Sequence, residues 1–115
     1  MTKNEIVARW VGIETVQYTH YAHGEVTAIV HEGIIDYPLL VYYPDKDYNQ
    51  LHEAWVKFRD LKFEGVQYFK HSALCFDICV KITHGTITEA FDELVRGIEW
   101  CNTLNKKVWK RKLNG

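Results

Sequence analysis

Leu74, Phe76, Ile78, Val80 and Ile82 alternate without a break with Cys75, Asp77, Cys79 and Lys81. Side chains of a strand point to opposite faces with a period of two. The alternation therefore predicts a strand with one apolar face and one mixed face. A sheet built from such strands is covered by helices on one side and left half open on the other. Val66 to Lys70, just after Gly65, reads as a strand beside it.

The first half of the chain predicts a three-stranded unit after a short helix. Ile6, Val7 and Trp10 have helical spacing within Asn4 to Trp10, and Gly12 closes that helix. Thr15 to Tyr21 and Glu25 to His31 read as the arms of a hairpin about Ala22-His23-Gly24. Leu39 to Tyr43 follows Pro38 and fits a third strand, with the proline at its start where a missing donor is tolerated.

Two amphipathic helices complete the pattern. Asp47 or Asp45 serves as the cap of a helix whose apolar stripe is Tyr48, Leu51, Ala54, Trp55 and Phe58. Thr86 and Glu89 form a capping-box pair that opens a last helix, running to about Asn105, with Ile87, Ala90, Phe91, Leu94, Ile98 and Cys101 on one stripe. The expected fold class is α+β: a small α/β sandwich in which an antiparallel sheet of about five strands packs on helices. The element order is α-β-β-β-α-β-β-α, in a single domain over residues 1–105 with a basic tail over 106–115.

Composition narrows the function classes. With 115 residues, 47% hydrophobic and 25% charged, the chain suits one hydrophobic core. The net charge of −1 hides an asymmetry: five basic residues lie between Lys106 and Lys112, and the other nine Lys and Arg face fifteen acids, leaving a body near −6 and a tail of +5. So acidic a body disfavours nucleic acid, which needs clustered cations. Three cysteines and a polar N-terminus without an apolar signal core point to a reducing, cytoplasmic setting. No apolar run has the length of a membrane span.

No constellation gathers the groups that catalysis needs. His20 and His23 sit at a strand end and hairpin turn rather than at helical spacing, so polar turn residues are the plainer account and no metal is expected. Cys75 and Cys79, four apart on a strand, would be about 13 Å apart, too far to share an ion or a disulfide. Ser72 and His71 would point to opposite faces. Phosphate-cradling glycine motifs are absent, and no cofactor and no catalytic residues are expected. Aromatic and basic surface remains: Tyr42, Tyr43, His52, Arg59, Arg96 and Trp100 are the candidate ligand-binding residues, because flat rings beside cations can stack a base and hold its phosphates.

Three stretches carry a likeness to a known group: NEIVARWVG at Asn4 to Gly12, DYNQLHEAWVKF at Asp47 to Phe58, and ITEAFDELVRGIEWCN at Ile87 to Asn102. In these the chain resembles the small proteins of bacteriophages and prophages grouped as the phage ABA sandwich domain, especially versions from Bacteroidetes phages. The likeness spans nearly the whole chain apart from the basic tail. The middle segment departs from the pattern, having Asp45, Asp47 and Tyr48 where relatives have a serine-tryptophan start. The resemblance implies an α/β sandwich and a mobile-element origin, and it brings no catalytic residues.

The expected function is that of a non-enzymatic phage accessory protein that binds and sequesters a small nucleotide-derived ligand, such as an immune signal of the bacterial host. The alternatives are an interaction module that docks on a host or phage protein, and a small hydrolase acting on such a signal. A homo-oligomer is expected under each of them, because an exposed sheet face is costly for a monomer.

Overall fold

The computed structural model describes residues 1–35 and 38–104; the basic tail expected over 106–115 lies outside them. The elements are α1 (Lys3–Val11), β1 (Thr15–His20), β2 (Gly24–His31), β3 (Ile34–Ile35), α2 (Tyr48–Arg59), α3 (Val66–His84) and α4 (Ile87–Thr103). The class is α+β, and the described residues form four helices and one antiparallel sheet in the order β1-β2-β3.

Two expectations are corrected. The described sheet has three strands rather than about five, and the order is α-β-β-β-α-α-α. The reason lies in residues 66–84, which form one helix of 19 residues instead of two strands. Apolar side chains at every second position also satisfy a helix, because Leu74, Ile78 and Ile82 recur every four residues and fall on one stripe. Leu74 and Ile78 are buried on that stripe. Between the two expected strands stand only His71, Ser72 and Ala73, with no Gly, Asn or Asp to supply the positive φ that a tight hairpin turn needs.

The helix ends follow from local chemistry. In α1 the Thr2 side chain accepts the Glu5 N–H while the Glu5 carboxylate accepts the Thr2 N–H, a capping box written in the sequence as Thr2-Lys3-Asn4-Glu5. Gly12, with φ of 85°, ends α1 as expected. One carboxylate oxygen of Asp47 accepts the N–H groups of Asn49 (2.8 Å) and Gln50 (3.3 Å) and starts α2. Thr86 and Glu89 exchange both capping-box bonds at 3.1 Å. Thr86→Ala is expected to lower stability by about 1 kcal/mol, read as a shift of the urea midpoint at constant m-value.

The hairpin of β1 and β2 pairs Thr15 with Ile29 through to His20 with Gly24. β2 turns into β3 through Glu32 and Gly33, both at positive φ (51° and 80°), as a two-residue hairpin turn demands. The third strand expected at Leu39 to Tyr43 exists only as an extended segment on β2. It makes one bridge, Ala28 to Val41, and two bonds of 2.8 Å, from Ile29 N–H to the Leu40 carbonyl and from Tyr42 N–H to the Thr27 carbonyl.

The core is mainly helical. Ala90, Phe91, Leu94, Val95, Ile98 and Cys101 of α4 meet Val7 and Ala8 of α1, Leu51, Ala54 and Phe58 of α2, and Leu74 and Ile78 of α3. Helices thus pack around α4, and the sheet lies at the margin rather than beneath two helices. Among the described residues no helix is long and apolar enough to cross a membrane.

Candidate functional site

A cleft of about 560 Å³ opens between the end of α2 and the first four turns of α3. Its walls come from local patterns. Trp55 and Arg59 are four apart on α2 and so stand on one row. The connecting segment alternates, with Leu61 and Phe63 buried and Asp60, Lys62 and Glu64 exposed, which pins the loop to the core and leaves Lys62 at the rim. On α3, Tyr68, Ser72, Cys75 and Cys79 follow helical spacing and line the opposite wall, with Phe76 beside them.

His71 forms the floor. It is buried, its Nε2 lies 2.8 Å from the Phe58 carbonyl oxygen, and its ring is tilted against Phe58 and Phe63, each at 4.9 Å. A carbonyl can only accept, so Nε2 is the donor in this contact. The Cys75 thiol is 3.9 Å from Nδ1 and 3.5 Å from Nε2. Burial pushes that thiol up to about 11, outweighing the nearby Arg59 charge. At neutral pH Cys75 is therefore a protonated thiol, and the pair lacks the thiolate that makes cysteine a nucleophile. Cys75 and Cys79 stand one helical turn apart, which replaces the strand separation of about 13 Å. Among the described residues no group of three or more His, Cys, Asp or Glu is placed to hold a metal ion.

The chemistry of this cleft is aromatic and cationic. Trp55, Phe63, Tyr68 and Phe76 supply rings, Arg59 and Lys62 supply positive charge, and no carboxylate is among the residues that line it. Arg59 is held at the mouth by its neighbour, with Nε donating to the Asp60 carboxylate at 3.0 Å.

The six residues read from the sequence are not brought together. Arg59 lines this cleft. Tyr42 and Tyr43 line a separate hollow of about 960 Å³ between the sheet and the 39–46 segment, along with Glu25, Asp45 and Lys46. Tyr42 is buried there, and burial with the Glu53 charge raises its phenol to about 12. Gln50 clamps this segment to α2, accepting the Tyr43 N–H at 2.7 Å and donating to the Val41 carbonyl at 3.2 Å. His52 is exposed on α2 and lines neither hollow. Arg96 is exposed on α4, 3.4 Å from Glu93. Trp100 is half-buried and packs on the back of Phe63 at 5.2 Å, behind the cleft wall.

Sequence reasoning missed Tyr68, His71, Ser72, Cys75, Phe76 and Cys79 as one wall, because a strand scatters them over two faces. A helical reading of 66–84 gathers them. At the hairpin tip, the His20 and His23 rings stack at 4.8 Å and His20 Nδ1 accepts the backbone N–H groups of Ala22 and His23, in keeping with turn residues. No family model, curated protein or solved structure matches this chain.

Proposed function

We propose that this chain is a non-enzymatic binding protein whose α2–α3 cleft holds a small, flat, anionic molecule of the nucleotide class. The observation that carries the reading is the lining itself: four aromatic side chains with Arg59 and Lys62, and no carboxylate among them. Rings favour a planar base by stacking, and cations at the rim favour its phosphates. The volume of about 560 Å³ suits a small molecule. The Cys75 thiol, which burial keeps protonated, favours holding over turnover. The phage setting rests on the resemblance of the three sequence stretches. In that setting the ligand is a nucleotide-derived signal of the bacterial host, and its capture is the function.

The test is a thermal-shift panel of linear mononucleotides, cyclic nucleotides and cyclic ADP-ribose isomers, with mass spectrometry of anything released on heating. At least one compound is expected to raise the melting temperature and to be recovered intact. Arg59→Glu with Lys62→Glu is expected to weaken its binding at least about tenfold, since each charge-assisted contact is worth about 1.5–3 kcal/mol. His52→Ala and Arg96→Ala, away from the cleft, should leave binding unchanged. A panel without any shift would count against the reading, and recovery of a chemically altered compound would make the protein a hydrolase instead.

A further inference from the structure

Beside the cleft, and sharing Phe76 with its lining, α3 carries an apolar row that the fold leaves largely uncovered. Val66, Phe69, Ala73, Phe76, Val80 and Thr83 are spaced 3, 4, 3, 4 and 3 apart. That is the a and d pattern of a coiled-coil seam over about 26 Å of helix. It faces away from Leu74 and Ile78, which α3 buries in the core. Val66, Phe69 and Phe76 are 85%, 71% and 68% exposed, and Ala73 and Thr83 are exposed as well. Such a row is costly in water, and no charged residue interrupts it.

We infer that this face of α3 is a homodimer interface, in which the seams of two copies pair antiparallel about a two-fold axis between Ala73 and Phe76. Two properties of the sequence identify a second copy as the occupant. The first is size. In the antiparallel register Phe69 meets Val80 of the second copy, Ala73 meets Phe76, and Val66 meets Thr83, so a large side chain always faces a smaller one or a match. Parallel pairing would stack Phe on Phe and Ala on Ala, leaving alternate layers overfilled and empty.

The second property is charge. The flank positions on one side of the seam are Lys70, Asp77 and His84, and those on the other are Ser72 and Cys79. In an antiparallel pair each flank faces the same flank of the other helix. Lys70 therefore faces Asp77 of the second copy, and the two-fold axis repeats the ion pair. Ser72 faces Cys79, both small and uncharged. Lys70 and Asp77 have no ion-pair partner among the described residues, so both are available for this role. The inference does not depend on the cleft binding a ligand.

Sedimentation velocity over a concentration series tests the pairing. The full chain is expected to form a reversible dimer, and Phe69→Glu is expected to leave a folded monomer, with circular dichroism reporting the retained helix. Lys70→Asp and Asp77→Lys, each placing like charges opposite one another twice, should raise the dimer dissociation constant about tenfold. The double swap, Lys70→Asp with Asp77→Lys, should restore it. None of these three residues lines the cleft. A full chain that stays monomeric up to about 100 μM, a range that captures micromolar affinities, would overturn the interface. A dimer in which the double swap is no better than the single ones would overturn it too.

Discussion

Replacing Phe58 by alanine is expected to remove about 3–5 kcal/mol of stability, a large share of the roughly 5–15 kcal/mol that holds a domain folded. Phe58 is fully buried and joins three parts of the core. Its ring lies 6.4 Å from that of Trp10 on α1 and 4.9 Å from that of His71 on α3. It also packs directly against Gly97 of α4. Alanine would leave a cavity bounded by three helices whose backbones are fixed by their other contacts, so little of it can collapse. Urea unfolding should show a lower midpoint with an unchanged slope, and the melting temperature should fall by on the order of 10–20 °C. A loss below about 1 kcal/mol, the scale of an ordinary substitution, would show that α2 and α4 do not meet at this ring.

Gly97→Val approaches the same contact from the other side. A side-chain carbon built on Gly97 would lie 2.8 Å from Phe58 Cζ, closer than real contacts allow, and 3.0 Å from Cε2, a tight contact. A glycine within a helix otherwise costs about 1 kcal/mol relative to alanine, so the position is held by space rather than by propensity. Valine there is expected to destabilise by about 1–3 kcal/mol through overpacking. Alanine should cost less, because its gain in helix propensity works against the clash. Combining Phe58→Leu with Gly97→Ala should be less damaging than the sum of the two, since one change vacates room for the other. Strict additivity in that cycle would separate the two residues.

Much of the chain can be read locally. Asp47 and Thr86 start their helices by accepting backbone N–H groups within a few residues, and Gly12 closes α1 by its own conformation. The β1–β2 hairpin likewise needs only neighbours in sequence. The third strand was less legible. Leu39 to Tyr43 has strand composition, but Gln50 on α2 takes the Tyr43 N–H and holds the Val41 carbonyl, so the segment is shared between sheet and helix. No local pattern announces a long-range clamp of that kind. The cleft was legible only at Arg59, because its other wall depends on how residues 66–84 fold.

Those residues mark the division between sequence and tertiary structure. Alternating apolar positions from Leu74 to Ile82 fit a strand with one face or a helix with two stripes, and local propensity does not choose between them. Tertiary packing does. As a helix, α3 folds back through Gly85 and Thr86 and buries Leu74 and Ile78 in the core around α4. As a strand it would have to pair at the outer edge of β1, because the Leu40 and Tyr42 backbone already bonds to β2 on the side away from β1. The sequence by itself determined the helix ends at Gly12 and Thr86, the β1–β2 hairpin, and the apolar stripes of α2 and α4 apart from Tyr48, which stands exposed at the start of α2. Only the packed structure decided that α3 is a helix, and hence that Phe76 and Val80 fall on its outer side, because burial of one stripe is a property of what stands opposite it.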